Sequence, residues 1–264
     1  MELGVEDIEQ PYEGVVMFAF VLDGVSHEVA IDYFDRERLL EEVAQRCPLV
    51  FKMQYATDGY GREHVIPGGY VPVSSRIYRY LSGLRHAREH LEPRFDVYGR
   101  FSLSYASATR RAAITSLREQ MQFPYEGSLA TVAYPSYLRE AALSRVCIDL
   151  PGNGDMCHRL VEYLAIGACV VRPTPTTRLH VPLSDGVHIR YAHDLESGLV
   201  ACCADLLANP AQAAGMGRAA RDYFDRYLHI EQLAGYYIDR CVSMLGDGAG
   251  AAAAVQPTGS GGLA

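Results

Sequence analysis

The sequence predicts an α/β fold in two parts: a parallel sheet layered between helices over residues 93–245, and a reduced α/β region over residues 1–92. Three observations predict it. Apolar residues make up 49% of the 264-residue chain, which is enough to bury a sizeable core. In the second part, short runs of β-forming residues alternate with helical patterns, an order typical of parallel sheets. Glycine and proline turns separate these runs.

The N-terminal region is expected to begin, after a loose lead-in over residues 1–12, with a β-hairpin. Apolar runs flank the pair Asp23 and Gly24, and an Asp-Gly pair between such runs favours a tight turn. Asp35 then occupies the position of an N-cap for a helix over residues 36–46. The further elements expected here are a buried strand over residues 47–55, a long Gly- and Pro-rich loop over residues 58–74 and a helix over residues 77–91.

The second part predicts a Rossmann-like sheet, in which ligands bind at the carboxyl ends of the strands. One helix of this part should end at Gly167, because glycine suits the left-handed position after a helix. The loop that precedes this helix therefore lies where a ligand would bind. The expected strands cover residues 95–101, 145–150, 168–172 and 188–191, and the expected helices cover residues 109–120, 134–143, 158–166, 194–207, 210–227 and 230–245.

Charge and cysteine content argue against several classes of protein. The net charge of −8 argues against a nucleic-acid binder, which usually carries a basic face. Lys52 is the only lysine, so a phosphate site would need arginine or backbone N–H groups. The seven cysteines are odd in number and lack the C-x-x-C spacing of zinc sites. We therefore expect no metal site, and free thiols in a reducing compartment.

The chain ends bear on location and order. The acidic N-terminus has no apolar signal core, and no run of about 18 apolar residues could span a membrane. These features predict a cytoplasmic protein without a membrane span. Residues 246–264 are low in complexity and are predicted to form a disordered tail.

The segment from Cys147 to Val171, CIDLPGNGDMCHRLVEYLAIGACVV, has the features of a diphosphate site. Gly152 and Gly154 would let the backbone approach a ligand closely, and the start of the following helix favours an anion. Arg159 could add a bidentate phosphate contact. Glu162, three positions later, could face the same pocket and accept hydrogen bonds from ribose hydroxyls. A simple turn followed by a surface ion pair would have the same spacing, so the pattern alone leaves both readings open.

This segment resembles the donor site of GT-B glycosyltransferases, including the group 1-like and related short bacterial enzymes. Those families carry a strand, a glycine turn, a helix of the form R-x-x-E-x-L-A-x-G and a strand ending in x-V-V. The stretches DVYGRF upstream and DLESGLVACCADLLANPAQAAGMGRAARDYFDRYL downstream resemble the start and the end of the same domain. The matching residues of the central motif are Arg159, Glu162, Leu164, Ala165, Gly167, Val170 and Val171.

The resemblance implies transfer of a sugar from a nucleotide diphosphate sugar to an acceptor, which could be a glycan, a lipid or a small molecule. It implies that Glu162 holds the ribose, that Arg159 holds a phosphate and that the glycine turn holds the diphosphate or the sugar. No metal or other cofactor is expected, because arginine and helix N–H groups can stabilise the leaving diphosphate. The predicted donor-binding residues are Arg100, Gly152, Asn153, Gly154, His158, Arg159 and Glu162.

Three departures separate this chain from the family pattern. Retaining members often have an Arg and a Lys near the first strand-helix unit, where this chain has only Arg100, Arg110 and Arg111. Many also place an acid eight positions before the ribose-binding Glu, a position that is Gly154 here, so that Asp155 misses it by one. The choice between inversion and retention therefore stays open. Finally, the N-terminal region is shorter than a usual acceptor domain.

An inverting transferase needs a general base near the acceptor hydroxyl. The N-terminal candidates are Asp32, which follows a strand, and Asp58 and His64, which lie in the long loop; capping or surface roles are the alternative for each. The short N-terminal region also suits a non-catalytic nucleotide-sugar-binding or regulatory protein. An NAD-dependent enzyme is disfavoured, because the turn after the FDVYGRF strand lacks G-x-G-x-x-G.

Overall fold

The computed structural model describes residues 2–127 and 129–246, which form two five-stranded sheets with helices packed around them. Strand order is β1-β2-β3-β4-β5 in the first sheet and β10-β9-β8-β6-β7 in the second. In the first sheet, β1, β2 and β3 pair antiparallel, whereas β3, β4 and β5 pair parallel. The elements of the first part are β1 Leu3–Asp7, β2 Val15–Leu22, β3 Val25–Asp32, α1 Glu41–Arg46, β4 Leu49–Lys52, β5 Val65–Pro67 and α2 Ile77–His90.

The predicted hairpin is confirmed. Asp23 and Gly24 both have positive φ angles, 49° and 82°, as a two-residue turn between twisted strands requires. The loose lead-in predicted over residues 1–12 is wrong for Leu3–Asp7, because these residues form β1, which pairs with β2.

The helix predicted over residues 36–46 is shorter than expected, and Asp35 is not its N-cap. Only Glu41–Arg46 is helical, and Leu40 precedes it without a side-chain cap. The Tyr60 hydroxyl donates a hydrogen bond to Glu37 O, so tertiary contacts hold the preceding segment in a non-helical path. The Gly- and Pro-rich loop likewise contains a short strand, β5.

The second sheet is parallel throughout, which confirms the predicted α/β, Rossmann-like architecture. The helices pack on both faces of this sheet, and an apolar core lies between sheet and helices on each face. Gly167 ends its helix with φ 83°, as predicted, whereas β7 was not predicted. The elements are β6 Phe95–Tyr98, α3 Ser107–Glu119, β7 Tyr125–Glu126, α4 Tyr134–Ala142, β8 Ser144–Ile148, α5 His158–Ile166, β9 Cys169–Pro173, β10 Arg190–Ala192, α6 Ser197–Ala208, α7 Pro210–Tyr223, a π-helical turn Phe224–Leu228 and α8 Ile230–Gly246.

Two helices cross between the sheets. Helix α2 packs against α4 and α5 of the second part. Helix α8 returns to the first sheet, where Cys241 and Leu245 share an apolar core with Phe20 and Leu49. The division at residues 92 and 93 stays a prediction. The predicted tail, apart from Gly246 at the end of α8, lies outside the described residues.

Three further observations concern membrane-spanning helices, cysteines and metal sites. Within residues 2–127 and 129–246, no helix is long and apolar enough to cross a bilayer. The seven cysteines are free, and five of them are buried. Over the same residues, no cluster of three or more His, Cys, Asp or Glu side chains is arranged to hold a metal ion.

Candidate functional site

A cleft of about 600 Å³ opens at the carboxyl ends of β6 and β8, the edge at which parallel sheets bind ligands. The turns after these strands form its floor, and α3, α4 and α5 form its walls. The N-terminal region contributes Asp35, Tyr70 and Val73. Six of the seven predicted donor-binding residues line this cleft: Arg100, Gly152, Asn153, His158, Arg159 and Glu162.

Gly154 is the exception, because it faces the N-terminal region. A Cβ atom at this position would lie 2.2 Å from Gln54 Nε2 and 2.6 Å from Asp35 Oδ1. Gln54 is fully buried and exchanges two hydrogen bonds with the backbone of Met156: Nε2 donates to the carbonyl at 2.8 Å, and Oε1 accepts from the N–H at 3.1 Å. The missing side chain at Gly154 therefore permits close packing between the two parts of the chain, rather than approach of a ligand.

Arg159 lies in the first turn of α5, and its side chain lines the cleft. Its guanidinium stacks on the ring of Phe101, with its Cζ atom 4.6 Å from the ring centroid, an arrangement that fixes the planar group. Its Nη1 atom lies 3.7 Å from Asp149 Oδ1, beyond hydrogen-bond distance. No ion pair joins Arg159 to Glu162, so the reading of this spacing as a surface ion pair is wrong.

Glu162 sits one turn further along α5 and is almost fully buried. Its Oε1 accepts a hydrogen bond from the Tyr134 hydroxyl at 2.8 Å and one from the Val73 N–H at 3.3 Å. Burial raises the pKa of this carboxyl group, and the hydrogen bond from Tyr134 opposes the rise. The carboxylate is thus held in one orientation at the cleft wall, beneath a tyrosine and a loop of the N-terminal region.

Arg110, on α3, also lines the cleft; it is one of the three arginines near the first strand-helix unit but was not among the predicted donor-binding residues. It is 3% exposed; Nε donates to Pro151 O at 2.8 Å and Nη1 donates to Ser102 O at 2.6 Å. Burial lowers its pKa, as does the neighbouring charge of Arg159. One signal could have found it, since Arg110 lies on the helix stripe whose other members are the buried residues Ala113, Ile114 and Leu117.

Arg100 and His158 line the cleft with their polar groups already engaged. Arg100 Nε and Nη2 donate to the two carboxylate oxygens of Glu140 at 2.6 and 3.1 Å, so its charge is neutralised. His158 Nδ1 lies 2.7 Å from Val71 O and therefore donates, because a carbonyl can only accept. The histidine is thereby anchored to the N-terminal region. Arg110 and Arg159 are the guanidiniums of the cleft that form no hydrogen bond to a carboxylate among the described residues.

Comparison with known proteins identifies the family. A family model described as glycosyl transferase-like matches residues 79–239, which is more than half of the chain. The chain belongs to this family. The predicted resemblance to glycosyltransferases is thereby confirmed at the level of the family. No curated protein matches the chain.

Solved structures similar to this glycosyl transferase-like protein include sucrose-phosphate synthase from Thermosynechococcus elongatus, at 17% identity and a TM-score of 0.46, with 71% of this chain and 54% of that chain covered. TarM is similar at 11% identity and a TM-score of 0.40, with coverage of 74% and 44%. The chain thus spans about half the length of these proteins.

Asp155, the nearest acid to the position used by many retaining glycosyltransferases, does not line the cleft. Its Oδ1 accepts from Arg172 Nη2 at 2.7 Å. Its Oδ2 accepts from the N–H groups of Thr176 and Thr177 at 3.1 and 3.2 Å, and from the Thr177 hydroxyl at 2.7 Å. Asp155 therefore braces the loop after β9 against the glycine turn.

The three base candidates of the glycosyl transferase-like chain lie away from the cleft. Asp32 is fully buried and forms an ion pair with Lys52, so it cannot meet an acceptor hydroxyl in this structure. Asp58 is exposed on a turn. His64 Nε2 lies 2.8 Å from Ala44 O, and His64 does not line the cleft. Asp35 is the carboxylate that the N-terminal region brings to the cleft, and its sequence position had suggested only a helix cap.

Proposed function

We propose that the cleft binds a nucleotide diphosphate sugar and that the protein transfers the sugar to an acceptor. One observation carries this proposal. Arg110 and Arg159 line the same cleft, and neither forms a hydrogen bond to a carboxylate among the described residues. Two neighbouring guanidiniums without such a partner favour a ligand with more than one negative charge, as a diphosphate has.

The same two residues suit the reaction. As the bond from the sugar to the diphosphate breaks, negative charge grows on the leaving phosphate, and fixed cations stabilise that charge without reorganisation. Phe101 and the carbonyl groups of Pro151 and Ser102 hold the two guanidiniums in place. Glu162, held beside them, would accept hydrogen bonds from the ribose hydroxyls and so fix the nucleotide.

Asp35 is the residue we assign to the acceptor side. It lines the cleft from the N-terminal region, beside the glycine turn that precedes α5. Gln54 Nε2 donates to its Oδ1 at 2.8 Å, which fixes the carboxylate group. In an inverting transfer this carboxylate would accept the proton of the acceptor hydroxyl as that oxygen forms its bond to the sugar.

A binding protein without transferase activity is the second candidate. It is favoured by the small share of the cleft that the N-terminal region provides, namely Asp35, Tyr70 and Val73. Such a protein would bind the nucleotide sugar through the same arginines but would show no turnover.

A thermal-shift titration with UDP, GDP and ADP tests the donor site. A ligand at 100 times its Kd should stabilise the protein by about 2.7 kcal/mol, which corresponds to a rise in Tm of about 5–11 °C for a chain of this size. Arg110→Gln should weaken binding by about 10- to 150-fold, the equivalent of about 1.5–3 kcal/mol for hydrogen bonds to a charged group. Arg111→Gln is the matched control, because Arg111 is the exposed neighbour on the same helix. Equal affinities in the two variants would contradict the donor site.

Turnover separates the two candidates. Release of nucleotide from UDP- and GDP-sugars, with and without simple sugar acceptors, should fall in Asp35→Asn while nucleotide affinity is kept. Asp58→Asn, an exposed carboxylate outside the cleft, should behave like the wild type. Tight nucleotide-sugar binding without any release would favour the binding protein.

A further inference from the structure

A second cavity, of about 410 Å³, lies at the opposite edge of the second sheet. Its lining includes Pro93, Ser144 and Gly167, which stand at or before the starts of β6, β8 and β9, whereas the cleft is lined by residues that follow the strands. The two cavities have no lining residue in common. We call this space the rear cavity. Its volume is within the range of small-molecule sites.

The rear cavity concentrates positive charge in a chain whose net charge is −8. Its walls contain a single acidic residue, Glu89. The sequence does not reveal this concentration, because its members come from α2, the start of β8 and α7. The arginines that line it are Arg85, Arg88, Arg145, Arg218 and Arg221.

Three of these arginines are neutralised by carboxylates. Arg85 Nη2 lies 2.6 Å from an oxygen of Asp225, and Arg145 Nε lies 3.1 Å from an oxygen of Asp96. Arg221 forms an ion pair with Glu89. The remaining two arginines of the rear cavity are Arg88 and Arg218.

Arg88 and Arg218 have no carboxylate partner among the described residues. Arg88 Nη1 donates to Ser144 O at 2.8 Å, and burial lowers the pKa of its guanidinium. Arg218 is exposed and forms no hydrogen bond or ion pair within the same residues. Arg88 is half-buried, and a guanidinium withdrawn from water and bonded only to a carbonyl is costly. An anion in the cavity would remove much of that cost.

The path of α7 leaves room for the Arg88 guanidinium at Gly217. At Gly217, a Cβ atom would lie 3.6 Å from Arg88 Nη2 and 2.4 Å from Gly167 O. The absent side chain therefore allows α7 to approach both the end of α5 and the Arg88 guanidinium.

We propose that the rear cavity binds a small phosphate ester, with its phosphate held by Arg88 and Arg218 and its uncharged body against the apolar walls. Phosphate matches two guanidiniums that offer several donors each. Side chains on α4, α5 and α6 supply apolar contacts for the body of the ligand; they include Ala142, Ile166, Leu206 and Leu207. This site does not depend on the donor site proposed above, because it lies at the other edge of the sheet.

Isothermal titration with inorganic phosphate and with phenyl phosphate tests the site. Phenyl phosphate should bind more tightly, because its ring reaches the apolar walls. Arg218→Gln should weaken phenyl phosphate binding at least about fivefold, as expected for the loss of one charge-assisted contact. Arg38→Gln, which removes an exposed charge in the N-terminal region, should bind as the wild type does. Because Arg88→Gln removes the hydrogen bond to Ser144 O and could fail to fold, the exposed Arg218 carries the test.

Hydrogen exchange locates the bound probe. Phenyl phosphate should slow exchange of backbone amides in residues 88–93 and 210–221. Protection confined to residues 100–110 and 152–162 would place the probe in the cleft and overturn the proposal. Equal binding by wild type and Arg218→Gln would overturn it as well, and so would equal losses in Arg218→Gln and Arg38→Gln, which would indicate a general charge effect.

Discussion

In each sheet a buried carboxylate at the end of a strand faces basic side chains, and the two sheets differ in how close these ion pairs are. In the first sheet, Asp32 and Lys52 are register partners at the ends of β3 and β4, with Nζ 3.1 Å from Oδ2 and neither side chain exposed. In the second, Asp149 follows β8 and lies 3.7 Å from Arg159 and 3.8 Å from Arg172, with no hydrogen bond to either.

The difference separates Asp32 and Lys52, a close ion pair with a structural role, from Asp149 and Arg159, whose contact is longer. The Asp32 carboxylate accepts a hydrogen bond from the Phe34 N–H at 2.8 Å through Oδ1 and faces the Lys52 ammonium through Oδ2, so its counter-charge lies within the fold. The Asp149 carboxylate attracts Arg159 without binding it closely, which leaves that guanidinium directed at the cleft. Position at the end of a strand therefore does not show whether a buried acid forms a close ion pair; the distances to its partners show it.

Removal of one partner from the closed pair should have the largest effect. Lys52→Met leaves the Asp32 carboxylate buried without a counter-charge, and we expect a loss of about 3–5 kcal/mol in the free energy of unfolding. Urea denaturation measures it. The double variant Asp32→Leu with Lys52→Met should recover most of the loss, because it removes both buried charges. If Lys52→Met costs under about 1 kcal/mol, the ion pair of Asp32 and Lys52 does not have this structural role.

The glycine turn before α5 allows a sharper test within three residues. Gly154→Ala would force its Cβ atom to within 2.2 Å of the buried Gln54 amide, so we expect a loss of about 1–3 kcal/mol in stability, the usual cost of overpacking. Gly152→Ala, whose Cβ atom would meet Cys157 Sγ at 3.1 Å, should cost less stability but should weaken nucleotide binding. Comparison of unfolding free energies and UDP affinities checks both. The reverse pattern would assign the ligand contact to Gly154.

A substitution of Asp149, which forms no close ion pair with Arg159 or Arg172, should have the smallest effect on stability. That effect should depend on pH in a defined direction. Burial raises the pKa of Asp149, and the charges of Arg172 and Arg159 oppose the rise. For a carboxyl group with a raised pKa in the folded state, the contribution to stability is complete below the unfolded pKa and is lost as pH rises through the folded pKa. Asp149→Asn should therefore lie within about 1 kcal/mol of the wild type, and its relative stability should increase as the pH is raised.

Denaturation curves at acidic and neutral pH measure this difference. Asp155→Asn is the control, because Asp155 forms a close ion pair with Arg172 and accepts three further hydrogen bonds from Thr176 and Thr177; it should be the more destabilising change. A loss of stability in Asp149→Asn as large as that in Lys52→Met would contradict the distinction between the close pair of Asp32 and Lys52 and the longer contacts of Asp149.

Much of the second part was predictable, because its elements follow from local rules. The helix from His158 to Gly167 carries both a clear start after a glycine turn and a left-handed glycine at its end. The motif on this helix also located the cleft, since Arg159 and Glu162 lie where the carboxyl ends of parallel strands converge. The first part was harder. Asp35 and residues 36–40 take their conformation from contacts with Gln54 and Tyr60, which lie far along the chain.

The sequence by itself determined the alternation of strands and helices, the family and the helix that bears Arg159 and Glu162, because periodicity and turn residues act between near neighbours. Only the tertiary structure decided which charges are satisfied. It buried Asp32 against Lys52, brought Arg110 and Asp35 to the cleft and gathered the arginines of the rear cavity from separate elements. The physical reason is that the partners of a charge, and its distance from water, are set by residues that meet only when the chain is folded.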